Sequence, residues 1–138
     1  VQATGGSVGV IEGWGGMYIL ELIDAGICGV MPGLAIADVL ARVFRRASGG
    51  DREGAYAVFR GVLPQIVFSL QNMELFHHAE KQLLEARGLL RSPAVREATV
   101  ELNSHDLAHI RFLNGRVLAL LDELGMPHNP LAARQRGA

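Results

Sequence analysis

Two short apolar segments, residues 8–11 (VGVI) and 27–31 (ICGVM), most constrain the fold of this 138-residue chain. Both are rich in β-branched residues and flanked by glycines, a pattern typical of strands buried in a parallel sheet. Between them, residues 17–24 are rich in Met, Leu and Ile and are followed by Gly26, a helix stop signal. The order strand, helix, strand predicts a βαβ unit.

The remainder of the chain has helical periodicity. We expect a helix over residues 34–47, a second helix capped by Asp51, a long helical stretch over residues 65–87 that stops at Gly88, and a last helix over about residues 104–124. The apolar stripe of the first of these helices consists of Ile36, Leu40, Val43, Phe44 and Ala47, and that of the second consists of Ala55, Val58, Phe59 and Val62. The apolar stripe of the last helix consists of Leu107, Ile110, Leu113, Val117, Leu121 and Leu124.

Several helix ends carry their own signals. Asn103 and Asp106 have capping-box spacing, and Ser92-Pro93 has the pattern of an N-cap followed by proline in the first turn. Pro64 lacks a backbone donor, so it should bend or restart the helix around it. The tail, residues 132–138, is expected to be loose.

Composition excludes several classes of protein. Apolar residues make up 49% of the chain and charged residues 20%, which excludes general disorder. The net charge is −1, so we expect no nucleic-acid partner. No apolar run approaches the roughly 20 residues that span a bilayer, so we expect no membrane association. Cys28 is the only cysteine, which fits a cytoplasmic protein, and its strand position predicts a buried, unreactive thiol.

Two parallel strands alone leave unpaired edges and need helices on both faces or a closed barrel. A (β/α)8 barrel runs to roughly 250 residues, and its last quarter would supply two β/α units and extra C-terminal helices. We therefore predict an α/β fold: residues 1–48 as the last two β/α units of a TIM barrel, and residues 49–138 as a helical extension of about three helices. Exposed edges also predict a homo-oligomer.

The chain contains the motifs EGWGG (12–16), ELIDAG (21–26), GVMPG (29–33), ELF (74–76) and KQLLEARG (81–88). In this order and spacing, these motifs resemble strands seven and eight and the helical extension of the dihydrodipicolinate synthase and N-acetylneuraminate lyase family. The resemblance extends from about residue 7 to residue 126. Trp14-Gly15 replaces the usual acidic pair and His77-His78 replaces a common Asn-Pro, which is closer to the sugar-acid dehydratase and aldolase branches.

This resemblance implies a Schiff-base lyase, an aldolase or dehydratase acting on pyruvate or a related 2-keto acid without a cofactor. In that family a lysine on strand six forms the imine and a tyrosine on strand five moves protons. Neither strand is represented in this chain, so it is expected to hold no catalytic residue and to be inactive alone. Lys81, its only lysine, is expected on a solvated helix face.

The resemblance also implies a substrate-lining role for the loops that follow the two strands, because catalytic faces of such barrels lie at the C-terminal ends of strands. Their glycines would let a carboxylate or keto group approach the backbone, and Trp14 could close the pocket over an organic side chain. The predicted substrate-binding residues are Gly13, Trp14, Gly15, Met31, Pro32 and Gly33.

The alternative hypothesis is a free-standing helical interaction or metal-binding module. Glu74 and His77 have Glu-x-x-His spacing, and His105 and His109 stand four apart, a spacing that can hold zinc. Glu101 is the only evident further ligand, so surface or capping histidines explain the pattern better, and no metal is predicted.

Overall fold

The architecture comes from a computed structural model that describes the backbone of residues 2–135 and the side chains of residues 3–132. The chain divides into two compact units, Val1–Ile66 and Val67–Ala138, which we call the N-terminal and C-terminal units. The fold is mostly helical with a small parallel sheet in the N-terminal unit. The boundary expected between residues 48 and 49 concerns a parent barrel, and it stays a prediction.

The sheet consists of two parallel strands, β1 (Ile11–Glu12) and β2 (Gly29–Val30). Ile11 pairs with Gly29, and Glu12 pairs with Val30. Both strands fall at the predicted segments, although each is shorter than predicted. The parallel pair agrees with the α/β prediction, while the barrel remains an expectation.

Backbone hydrogen bonds continue the pairing beyond the two strands. The N–H of Cys28 donates to the carbonyl of Val10, and the N–H of Met31 donates to the carbonyl of Glu12, both at 2.8 Å. The ladder thus spans residues 10–12 and 28–31, so it covers half of the predicted segment 8–11 and most of the predicted segment 27–31. It ends at the points where the two loops begin.

Helices complete the N-terminal unit. Asp51 caps the helix that begins at Arg52, as predicted, because its Oδ1 accepts from the N–H of Gly54 at 2.9 Å. The first helix is shorter than the predicted residues 17–24, because turns occupy both of its ends. The helices are α1 (Ile19–Leu22), α2 (Ala37–Ser48), which follows a 3-10 turn over Leu34–Ile36, and α3 (Arg52–Ser69).

Pro64 does not restart α3, which runs through it to Ser69. The proline costs the helix one backbone hydrogen bond, but it lies on the exposed side of α3. Val62 and Ile66 on either side of it are buried, and their packing outweighs that loss. The helix instead ends near residues 70–72, where Asn72 begins the next one.

The core of the N-terminal unit is built from the predicted helix stripes. Apolar spacing thus correctly identified the inward faces of α2 and α3, although Phe44 and Ala47 are only half-buried. The buried apolar residues are Ile19, Ile27, Ala35, Ile36, Val39, Leu40, Val43, Ala55, Val58, Phe59, Val62 and Ile66.

The C-terminal unit contains α4 (Met73–Ala86), α5 (Ser104–Glu123) and α6 (Pro130–Gln135), and α4 packs against α5. The predicted capping box is confirmed: Asn103 accepts from the N–H of Asp106, and the Asp106 carboxylate accepts from the N–H of Asn103. The buried apolar residues of this unit are Ala79, Leu83, Leu84, Ile110, Leu113, Val117, Leu120 and Leu121.

Residues 87–103 contain no helix, so the helix start predicted at Ser92-Pro93 is wrong. The Ser92 hydroxyl accepts from the N–H of Ala94 at 3.3 Å, which makes a local turn instead. Two α4 side chains hold this segment: Lys81 Nζ donates to the Ala94 carbonyl at 2.7 Å and His78 Nε2 to that of Val100 at 3.0 Å. Lys81 is therefore half-buried and bonded, not on a solvated face.

Arg87 connects the end of α4 to the segment before α6. Its side chain is 2% exposed, and its Nε donates to the carbonyl of His128 at 2.8 Å. Asn129 Nδ2 donates to the carbonyl of Gly88 at 2.7 Å beside it. The tail over residues 132–138 was predicted to be loose, but α6 continues to Gln135. Residues 136–138 lie outside the described part. Within that part no helix is long and apolar enough to cross a membrane.

Replacing Arg87 by methionine should lower the free energy of unfolding by about 2 kcal/mol, because buried carbonyls lose a charged donor. Urea denaturation of the variant beside the wild-type chain measures this. Arg116→Met, at an exposed position of α5, is the matched control and should change stability by less than about 0.5 kcal/mol. Equal effects of the two substitutions would contradict the role given to Arg87.

Gly16 is required where the first loop meets the core of the N-terminal unit. Its φ is +84°, and a Cβ there would lie 2.6 Å from Cδ1 of the fully buried Leu40. Gly16→Ala should therefore cost about 2–3 kcal/mol of unfolding free energy, from left-handed strain and overpacking together.

The matched control is Gly29→Ala, because a Cβ at Gly29 meets nothing within 4 Å and its φ is not left-handed. We expect a change within about 0.5 kcal/mol there. Denaturant titration of both variants gives the comparison, and a Gly16→Ala chain as stable as Gly29→Ala would disprove the packing constraint.

Candidate functional site

Two loops lie next to each other at one edge of the sheet, because the carboxyl ends of parallel strands meet at the same edge. Residues 13–16 follow β1, and residues 31–33 follow β2. A Cβ built on Gly13 would be 3.6 Å from the methyl carbon of Met31, so the two loops are in van der Waals range. This edge is the candidate functional site.

The six predicted substrate-binding residues all lie in these two loops. Trp14 is 56% exposed and Met31 63% exposed, so both present large apolar side chains to solvent. Gly15, Pro32 and Gly33 are half-buried. The structure thus gathers the six residues at one edge, while their role in substrate binding stays a prediction.

Sequence reasoning missed Glu12 as a site residue. It is the last residue of β1, its side chain is 5% exposed, and its carboxylate lies under the first loop. Oε1 accepts from the N–H of Trp14 at 2.9 Å, and Oε2 accepts from the N–H of Gly16 at 2.7 Å. An acidic residue that ends an apolar strand directly before a glycine-rich turn was the available signal.

The first loop is a tight turn that leads into α1. Gly15 and Gly16 have φ values of +67° and +84°, which L side chains rarely adopt. The N–H of Met17 donates to the carbonyl of Trp14 at 3.1 Å, and the N–H of Ile19 donates to that of Gly16 at 3.2 Å. Backbone conformation and Glu12 together therefore fix the position of Trp14.

The N-terminal unit has two grooves, of which one includes a residue of the candidate site and the other does not. One of about 310 Å³ runs between β2 and α2, and Pro32 of the second loop contributes to it together with Phe44 and Arg45. Another, of about 490 Å³, lies between α1 and α3 and includes none of the predicted site residues. Tyr56 lines that second groove and is 55% exposed.

Cys28 is exposed, so the prediction of a buried thiol is wrong. Its Sγ donates to the carbonyl of Val10 at 3.3 Å. A Cβ on Gly9 would be only 2.7 Å from this sulfur, so glycine at that position makes room for the thiol. The error arose because burial of a strand face depends on which elements cover it, and a strand pattern does not identify those elements.

The histidines considered as metal ligands take part in other contacts. The ring of His109 meets Phe68 edge-on with ring centres 4.7 Å apart, and it stacks near Phe112 at 6.3 Å. The ring of His77 lies 6.1 Å from that of Phe76. Among residues 2–135, no group of three or more His, Cys, Asp or Glu side chains is placed to hold a metal ion.

Comparison with known proteins finds similarity among solved structures. No protein-family model matches the chain, and no curated protein sequence matches it. A solved structure, the dihydrodipicolinate synthase from Rhodopseudomonas palustris, is similar with a TM-score of 0.75 and 27% sequence identity over 83% of this chain. The chain spans 38% of the length of that protein. At the level of fold, therefore, this chain resembles part of a dihydrodipicolinate synthase.

Proposed function

We propose that this chain forms the C-terminal part of a Schiff-base-forming lyase, an aldolase or dehydratase that acts on pyruvate or a related 2-keto acid. The catalytic lysine would come from a strand that is not among these 138 residues. The observation that carries the proposal is the similarity of fold to a dihydrodipicolinate synthase over 83% of the chain. The alternative, a helical interaction or metal-binding module, has no comparable support.

The geometry of the sheet edge supports the same proposal. In barrels of this kind the active site lies where loops follow the carboxyl ends of the strands. The loops after β1 and β2 lie at that position, and they are close enough that a Cβ built on Gly13 would touch the methyl group of Met31. They would form two adjacent walls of the site, with Trp14 and Met31 facing the substrate.

The chemistry would proceed through an imine. A lysine amine adds to the keto carbon and water leaves, and the protonated imine then accepts the electron pair of a breaking C–C bond, or the enamine expels water. Lys81 is poorly suited to this role, because its Nζ already donates to the carbonyl of Ala94. The residues of this chain would bind and orient substrate.

Assembly is part of the proposal as well. Val8, Val10 and Ile11 are 55%, 43% and 55% exposed along the β1 segment. Unpaired apolar strand segments favour pairing with further strands or copies. We propose that the complete protein closes a barrel at this segment and forms a homo-oligomer, in a reducing compartment such as the cytoplasm, which suits a single free cysteine.

Trapping the imine tests the chemistry. A longer chain that includes the upstream strands should gain the mass of reduced pyruvate when incubated with pyruvate and borohydride, on a lysine outside this sequence. This chain alone should gain none, because Lys81 is held by a backbone carbonyl. Mass mapping of the peptides distinguishes the sites. An adduct on Lys81, or no adduct on the longer chain, would refute the proposal.

Thiol reactivity tests the barrel. Cys28 is exposed in this chain and should react with a thiol reagent under native conditions nearly as fast as in denaturant. Strands of a closed barrel are buried on both faces, so reaction in the longer chain should be at least about tenfold slower. The longer chain needs its other cysteines replaced by serine. Equal rates in the two native proteins would show that no barrel covers β2.

A further inference from the structure

We infer that Glu12 is a positioning residue that holds Trp14 at the candidate site and makes this wall repel anions, so that the substrate group in contact with Trp14 is uncharged. The inference concerns the chemical class of substrate, and in that respect it rests on the proposed function. The effect on Trp14 itself does not, because it follows from contacts within the N-terminal unit.

The first step concerns the donors of the glycine-rich loop. Such a loop suggests a cradle of backbone N–H groups for a carboxylate or phosphate. In this chain the N–H groups of Trp14 and Gly16 both donate to the carboxylate of Glu12, at 2.9 and 2.7 Å. The N–H of Met17 donates to the carbonyl of Trp14. The protein's own carboxylate thus occupies the place that a substrate anion would take.

The second step concerns charge. Both oxygens of Glu12 act as acceptors, which is the pattern of an ionised carboxylate. The side chain is 5% exposed, so little water screens it. Residues 13–16 and 31–33 contain no basic side chain that would offset it. An anion that approaches Trp14 therefore meets a neutral surface with a negative charge below it.

The third step concerns Trp14. Its indole is 56% exposed, although an apolar ring gains little from that position. The backbone at Trp14 is held in place because its N–H is bound to Glu12 and because the next two residues have left-handed conformations. The exposed indole that it carries offers an apolar and aromatic contact surface, which suits an uncharged organic group.

Trp14 is the only tryptophan, so fluorescence excited at wavelengths where Tyr18 and Tyr56 do not absorb reports on this site alone. We expect iodide, an anion, to quench it about twofold less efficiently than caesium, each normalised to free N-acetyltryptophanamide. The ionic strength is held constant near 0.1 M, where the screening length is about 10 Å. Equal normalised quenching by the two ions in the wild-type chain would overturn the inference.

Glu12→Gln separates the local charge from the overall charge. The amide of glutamine has one acceptor oxygen, which can accept from only one of the two N–H groups of Trp14 and Gly16. Its NH2 group would face the other N–H, so one of the two hydrogen bonds is lost. The iodide-to-caesium ratio should rise to about one, and quenching by neutral acrylamide should increase. Glu21→Gln, an exposed carboxylate of α1, changes the net charge equally and should leave the ratio at its wild-type value. Equal shifts in both variants would overturn the local role of Glu12.

The substrate class is tested on the longer chain that carries the catalytic lysine. Glu12→Gln should improve kcat/KM for substrates with a second carboxylate, relative to their neutral analogues, by about tenfold. An unchanged preference would overturn the substrate assignment. Failure of imine trapping in the wild-type longer chain would instead defeat the proposed function, and the quenching ratio would still decide the role of Glu12.

Discussion

The parallel pairing of β1 with β2 is the constraint on which the candidate site depends. Its backbone hydrogen bonds extend from the pair Val10 and Cys28 to the pair Glu12 and Met31. The two chain segments that leave the sheet, which α1 separates in sequence, therefore lie side by side. Because the strands are parallel, both loops emerge at the same edge. An antiparallel pair would have placed them at opposite ends and would have separated Gly13 from Met31.

The loop after β1 combines backbone geometry with charge. Two consecutive glycines with positive φ allow the turn, and a buried carboxylate binds its N–H groups. Each element requires the other: the turn would leave unpaired donors without Glu12, and the Glu12 charge would be costly to bury without those donors. This mutual dependence fixes the backbone of this wall of the site through contacts between residues only two to four positions apart in the chain.

Features governed by local sequence could be predicted. The capping box of Asn103 and Asp106, the cap at Asp51, and the stripes of α3 and α5 depend on spacing within a few residues. The two strands were identified for the same reason, since apolar runs bounded by glycine have few alternatives. The pattern overestimated their length, because pairing ends where the loops turn away.

Features governed by distant contacts could not be predicted. Lys81 was expected in solvent, yet it binds a carbonyl thirteen residues away. The thiol of Cys28 was expected to be buried, but no strand pattern reports what covers a strand. Glu12 was overlooked as a site residue because an acid at a strand end is usually solvated, and only the turn geometry directs two N–H groups at it. Continuation of α3 through Pro64 likewise reflects packing that propensity does not include.

The bond from Arg87 to the carbonyl of His128 links positions 41 residues apart, and it has a consequence for synthesis. A chain emerging from the ribosome presents α4 long before its partner segment exists, so the guanidinium of Arg87 must at first remain hydrated. It can be buried only after residues 127–129 have been translated. The strands and α1 to α3 precede this step, and the N-terminal unit can therefore acquire its contacts cotranslationally while the C-terminal unit is completed last.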